Sequence, residues 1–286
     1  MSSSAQPVYI KEGILREGLT QGIAFHDWKI TSKKAPICNS TEMEKFVLRI
    51  RNFACLLRSN PYRLQKDFGL PPPEMVFGNN CVTLKKGDFE ISLNAYDALS
   101  RVDTSSTSSE NLKVAYAEEW TRKSAMNHTD VKDVVKPYDW SYTTDYRGTC
   151  LADFESSPTS MIDIDRLKRP EPILFYDENI LYEDELADNG TAMLTVRLRV
   201  MPTCFLVLQR FFMRVDNVLF RINDTRLYHE FGNPYFVREY TSKEAHYNEI
   251  LEKLGKGDIS LLNDQNWVTS VMPDEAKTII REKIKI

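Results

Sequence analysis

Residues 193–230, MLTVRLRVMPTCFLVLQRFFMRVDNVLFRINDTRLYHE, decide the fold class. Leu194, Val196, Leu198 and Val200 alternate with Thr195, Arg197 and Arg199, the period-two pattern of a strand with one buried face. Beyond Pro202 the run Phe205 to Val215 is almost wholly apolar. Asp216-Asn217 then separates it from another strand-like run, where a two-residue hairpin turn would need positive φ. Asn223, Asp224, Arg226, Tyr228 and His229 follow at once, so a stiff hairpin is expected to carry a cluster of polar groups at its end.

The surrounding composition sets bounds on function. With 286 residues of which 42% are hydrophobic, the chain buries a sizeable core and is excluded from the disordered class. A net charge of −4 argues against a nucleic-acid binder, because neutralising phosphates takes a surplus of Lys and Arg. MSSSAQPVYIKEG at the amino terminus has no apolar signal region, and no window approaches the length of a membrane span. A protein without membrane attachment, located in the cytoplasm with the nucleus also open to it, is the expectation. Cys38, Cys55, Cys81, Cys150 and Cys204 are scattered and odd in number, as reduced core thiols would be.

Outward from the hairpin, residues 1–22 read as a flexible arm, and 23–286 as a single domain opening with a strand-like FHDWKIT whose Trp28 is buried. Thr41 and Glu44 have capping-box spacing. Met43, Phe46, Val47, Ile50, Ala54 and Leu57 then recur at helical steps until Asn60-Pro61, with a basic opposite face that is either solvated or a docking patch. Residues 46–68 form a helical insertion in this reading. Val82 and Leu84, a Lys86-Gly87-Asp88 turn, and then Phe89, Ile91 and Leu93 make a hairpin. Asp103 to Glu110 is a low-complexity surface loop, LKVAYAEEW a strand, IDIDRLKRPEP a short helix and ILFYDENILYEDEL a strand ending at Asn189-Gly190. Aromatics crowd the stretch before Gly148: Tyr138, Trp140, Tyr142 and Tyr146, with Trp120 upstream. SKEAHYNEILEKLGKGD and DEAKTIIREKIKI read as helices, giving residues 245–286 a helical character. The fold class is therefore α+β, an antiparallel, sandwich-like β-sheet core with peripheral α-helices.

Motifs that carry chemistry are few. No phosphate-binding loop, nucleophile elbow or zinc-protease helix occurs, and the four histidines are His26, His128, His229 and His246. No catalytic residue, metal ligand or cofactor is assigned. Asp145, Asp224 and His229 are the residues a metal-dependent hydrolase would use, which keeps that class as the alternative. Asp224-Thr225-Arg226 sets a carboxylate beside a guanidinium able to grip a partner's carboxylate, unless the two simply satisfy each other. Tyr228, Tyr240 and Trp140 are aromatic anchors for such a contact.

PEMVFGNN (73–80), NAYDAL (94–99), AEEW (117–120), KPYDWSYTTDYRGT (136–149), YEDEL (182–186), RVMP (199–202), RFFMRVDNVLFRINDTRLYHE (210–230) and REYTS (238–242) together resemble the TOR-signalling-pathway regulator-like (TIPRL) family. That resemblance implies a non-enzymatic, monomeric regulator that binds and inhibits or restrains the catalytic subunit of protein phosphatase 2A and related type 2A phosphatases, including its C-terminal tail, with a phosphatase scaffold as a further partner. Carried onto matching positions, Asp97, Ile162, Ile222, Asp224, Arg226 and Tyr240 line the implied cleft, supported by Trp140, Tyr142, Asp145 and Tyr228. Arg226 would meet a carboxylate, oriented by Asp97 or Asp224, while Tyr240 and the isoleucines would bury the tail's apolar side chains.

Overall fold

A computed structural model describes residues 6–43, 45, 73–101, 113–114, 138–139, 144–275 and 278–286. In chain order these form β1 (Val8–Glu12), β2 (Leu19–Phe25), β3 (Trp28–Lys34), β4 (Met75–Val76), β5 (Cys81–Lys86), β6 (Phe89–Asn94), α1 (Ala95–Ser100), β7 (Lys113–Val114), β8 (Tyr138–Asp139), β9 (Thr149–Cys150) and β10 (Glu155–Ser156). There follow α2 (Ile164–Leu167), β11 (Phe175–Asp184), β12 (Gly190–Val200), β13 (Cys204–Val215), β14 (Leu219–Glu230), β15 (Tyr235–His246), α3 (Tyr247–Leu254), α4 (Gln265–Val271) and β16 (Thr278–Lys285).

Two antiparallel sheets result, in the orders β1-β2-β3-β5-β6-β9 and β10-β16-β15-β14-β13-β12-β11-β4, with β7 and β8 as a separate pair. Their facing sides share one core. Ile23, Trp28, Ile30, Val82, Leu84, Ile91 and Leu93 of the smaller sheet pack with Leu194, Val196, Phe205, Val207, Phe211, Leu227 and Phe236 of the larger. The expected α+β sandwich is what forms. Trp28 is buried, as the sequence suggested, and lies edge-on to Phe205 and stacks on Phe236, with centroids 4.8 and 5.8 Å away, so it fastens sheet to sheet. A polar clasp assists: Asn80 Nδ2 donates to Asn179 Oδ1 (2.8 Å), and Asn179 Nδ2 donates to Ser32 Oγ (3.1 Å) and the Lys33 carbonyl (2.8 Å).

Several expectations change. The amino-terminal segment is not an arm throughout, since Val8–Glu12 pairs with Thr20–Ala24. As an edge strand with both faces largely exposed, β1 lacks the one-sided alternation that advertises a strand. FHDWKIT is interrupted at His26 and Asp27, both at positive φ, which close a two-residue turn between β2 and β3. The capping box lies two residues earlier than read: Asn39 Oδ1 accepts from the Glu42 amide (3.0 Å) and Glu42 Oε2 from the Asn39 amide (2.9 Å). The rest of that helix, the 46–68 insertion, the 103–110 loop, most of LKVAYAEEW, Trp120, Trp140 and Tyr142 lie outside the described residues.

The largest corrections concern the carboxyl-terminal part. SKEAH ends β15, and the helix begins only at Tyr247. TIIREKIK is a strand, pairing with β15 from Ser242↔Thr278 to Tyr235↔Lys285. Its isoleucines fit a helical stripe and a strand equally. Their β-branching and the free edge of β15 favour the strand, which places Ile284 against the core and Glu282 beside Arg238. The β13–β14 turn also differs: Val215 pairs with Leu219, so three residues form it, and of these only Asn217 has positive φ.

Candidate functional site

That third turn residue fixes the register, and the register builds the site. With Val215 opposite Leu219, Arg210 lies across from Asp224 and Leu208 across from Arg226, while β15 sets Thr241 and Glu239 on their other side. A two-residue turn would have put Asp224 across from Gln209 and exchanged the faces. As folded, Phe205, Val207 and Phe211 point into the sandwich, and Arg210, Asp224, Arg226 and Glu239 lie on the outer face of the larger sheet.

Two small cores flank these polar groups. At one end of the strands Phe212, Phe220 and Ile222 are capped by Ile250 and Leu254 of α3, Val268 of α4 and Leu262 of the 3-10 turn that joins the two helices. At the other, Cys204 and Tyr228 pack against Ile162, Leu167 and Met201. Between them runs a row of alternating charges. Asp224 receives a fork from Arg210 (Nε–Oδ1 2.7 Å, Nη2–Oδ2 2.8 Å) and a further bond from Arg226 Nη2 to Oδ2 (2.9 Å). Arg226 Nη1 also donates to Glu239 Oε1 (3.3 Å) and Thr241 Oγ1 (3.3 Å), and Arg281 Nε donates to Glu239 Oε2 (3.0 Å). On β12, Arg197 reaches Glu178 (3.0 Å) and Asn266 at the start of α4 (3.2 Å).

Burial grades this row from fold to surface. The Arg210 and Asp224 side chains are 7% and 3% exposed, a buried pair in which neither charge tolerates losing the other. Arg226 is 28% exposed and offers its remaining donors to solvent. Among the described residues the ion pairs of Arg210, Arg226 and Arg281 run to Asp224 and Glu239 alone, three cations against two anions. The row therefore holds an unmatched positive charge beside two apolar shoulders, a fit for a carboxylate flanked by apolar side chains.

The sequence-predicted residues divide between two places. Ile162, Ile222, Asp224, Arg226 and Tyr228 belong to the outer face, with Asp224 orienting Arg226 as expected. Tyr240 and Asp97 do not join them. Tyr240 alternates to the inner side, where burial pushes its phenol up and Ser242 and Asp145 are near. Asp97 Oδ2 takes bonds from Asn94 Nδ2 (2.8 Å) and Thr149 Oγ1 (2.5 Å), so it braces the start of α1. Asp145 lines a separate pocket of about 180 Å³ with Arg147 and Arg238, both of which hold Glu282 (2.9 and 2.6 Å), and Arg238 covers the Phe154 ring at 3.7 Å. His229 sits inside the sandwich among Trp28, Phe205 and Phe236, its ring Nδ1 3.1 Å from the Tyr235 carbonyl. Asp145, Asp224 and His229 thus occupy three different environments, and the set a hydrolase would need is not assembled. Among the described residues no group of three or more His, Cys, Asp or Glu is placed to hold a metal ion.

Arg210, Glu239 and Arg281 were missed by the sequence reading. Arg210 carried a signal, a cation at the middle of an eleven-residue run whose only other charge, Arg214, lies next to the turn, and a cation in such a place demands a buried partner.

Known proteins agree with this architecture's sequence along most of its length. The model of the TIP41-like family matches residues 75–251. The human TIP41-like protein is 40% identical over 266 residues, covering 91% of this chain and 88% of that protein. The Dictyostelium discoideum TIP41-like protein is 37% identical with 93% of each chain covered. The Saccharomyces cerevisiae type 2A phosphatase activator TIP41 is also 37% identical, over 88% of this chain and 71% of its own. The match spans the whole charged row as far as Glu239 and both small cores as far as Ile250, and with it the motifs that first suggested a regulator family: this chain belongs to the TIP41-like family.

Proposed function

We propose that this protein regulates type 2A serine/threonine phosphatases by binding their catalytic subunit on the outer face of the larger sheet, within TOR signalling. The yeast relatives named as type 2A phosphatase activators support the partner class. One observation carries the docking surface: the row Arg210–Asp224–Arg226–Glu239–Arg281 has one cation in excess, and its most central exposed member, Arg226, is already held straight by two carboxylates. Pre-ordering lowers the entropy cost of gripping a partner's carboxylate, and the shoulders formed by Ile162, Val237 and the α3–α4 cap provide apolar contact beside it. A C-terminal tail that combines acidic and aromatic residues has the matching chemistry.

The sense of regulation is a separate matter from the contact. Restraint of the catalytic subunit is the reading the family resemblance implies, whereas two relatives are named activators. Affinity capture of a purified type 2A catalytic subunit, with and without its last few residues, tests the contact, and dephosphorylation of a phosphopeptide across a titration of this protein tests the sense. Capture that falls when the tail is removed, with turnover falling as the complex forms, is expected. No capture at micromolar protein would overturn the proposal.

A further inference from the structure

A second charged feature lies on the same outer face. Arg199, two residues along β12 from Arg197, and the segment that follows α2 enclose a pocket of about 240 Å³. Four cations line it: Arg166, Lys168, Arg169 and Arg199. Arg166 is anchored by the Glu230 carboxylate, and Lys168 leans on Asp165 at 3.4 Å. The pocket's one acid, Glu171, is turned toward Thr203, whose hydroxyl approaches its oxygens at 2.8 and 2.6 Å. Arg169 and Arg199 have no ion-pair partner among the described residues. Leu167, Ile173 and Met201 supply apolar wall.

We infer that this pocket binds a phosphorylated side chain of a partner protein. Set against the one lining acid, Glu171, the two unpaired guanidiniums leave the pocket net positive and rich in paired N–H donors, which suits the three strong acceptor oxygens of a phosphomonoester better than the two of a carboxylate. A cavity of this size with an aliphatic wall has room for the residue bearing the phosphate as well as the phosphate itself. Anchoring by Glu230 fixes Arg166, and Pro170 stiffens the backbone beside Arg169, so part of the ordering cost is met before binding. The inference goes beyond phosphatase binding and does not depend on it.

The test uses the full chain and degenerate peptide libraries with a fixed central phosphoserine, phosphothreonine or phosphotyrosine, their unphosphorylated twins, and a twin with central Glu. Wild-type protein is expected to retain at least one phosphorylated library tenfold or more over its unphosphorylated twin. That preference should be lost in Arg169→Gln and in Arg199→Gln, neither of which breaks an ion pair seen here, and kept in Lys243→Gln, outside the pocket. Three results would each overturn the inference: no preference for any phosphorylated library, a preference unchanged in both arginine variants, or equal retention of the Glu twin, which would mark a carboxylate site. Phosphatase capture measured on the same variants separates the two proposals, since it should be unaffected by Arg169→Gln.

Discussion

Asp224 shows how one side chain serves both fold and surface. Its carboxylate lies between Arg210, which is buried, and Arg226, which reaches solvent. Removing it strands the Arg210 guanidinium in a dry site, so Asp224→Ala should cost about 3–5 kcal/mol of stability in a denaturant melt. Arg226→Ala leaves the Arg210–Asp224 fork intact and removes a partly exposed group, so its cost should be about 1 kcal/mol or less. A larger loss for Arg226→Ala than for Asp224→Ala would reverse this assignment of roles. His229 gives a pH dependence of definite sign. Burial among aromatic rings lowers its pKa below the ordinary 6.5, so the unfolded chain takes up a proton at a pH where the folded chain does not. Its contribution is neutral above about pH 6.5–7, and it destabilises the fold as pH falls from there toward the folded value. Melting curves between about pH 7.5 and 5 should show a decline that is shallower in His229→Gln, and an unchanged slope would contradict the burial argument.

Elements show what the sequence could and could not specify. The alternation along β12, the hairpin of β5 and β6, and buried Trp28 were legible because burial on one face writes itself into a period of two. The strand β16 was not legible, because three isoleucines in TIIREKIK satisfy two periods and only the open edge of β15 decides between them. The site residues were half legible for a related reason. RINDTR names Asp224 and Arg226, but the face each occupies depends on one turn residue, and Tyr240 was grouped with them although β15 turns it inward. Gly190 opens the neighbouring β12–β13 pair at a close approach of backbones: at φ +147°, a Cβ there would lie 1.9 Å from the Arg214 carbonyl oxygen. Gly190→Ala should therefore disrupt the β12–β13 end, giving a soluble yield or melting temperature clearly below wild type, and a wild-type melt would refute the close approach. Ile222→Met, by contrast, keeps volume within the helix-capped core and should cost less than about 1.5 kcal/mol, whereas Ile222→Ala should cost about 2–5 kcal/mol.

At the scale of the molecule, the inner faces of two sheets make the stable body and the outer face of the larger sheet carries the charged row. Its strands are long enough for two separate caps, the α3–α4 cluster and the Ile162 cluster, with the charged row held rigid between them. Such an arrangement suits the recognition proposed above, in which the scaffold fixes the charges and a partner's carboxylate would match the excess cation. The most direct measurement is titration calorimetry of a type 2A catalytic subunit against wild-type protein and Arg226→Ala, with thermal melts of both proteins. The account predicts that Arg226→Ala melts close to wild type yet binds more weakly by about 2–5 kcal/mol, roughly thirtyfold or more in Kd. Equal Kd values for the two proteins would contradict it and move the docking surface away from the row.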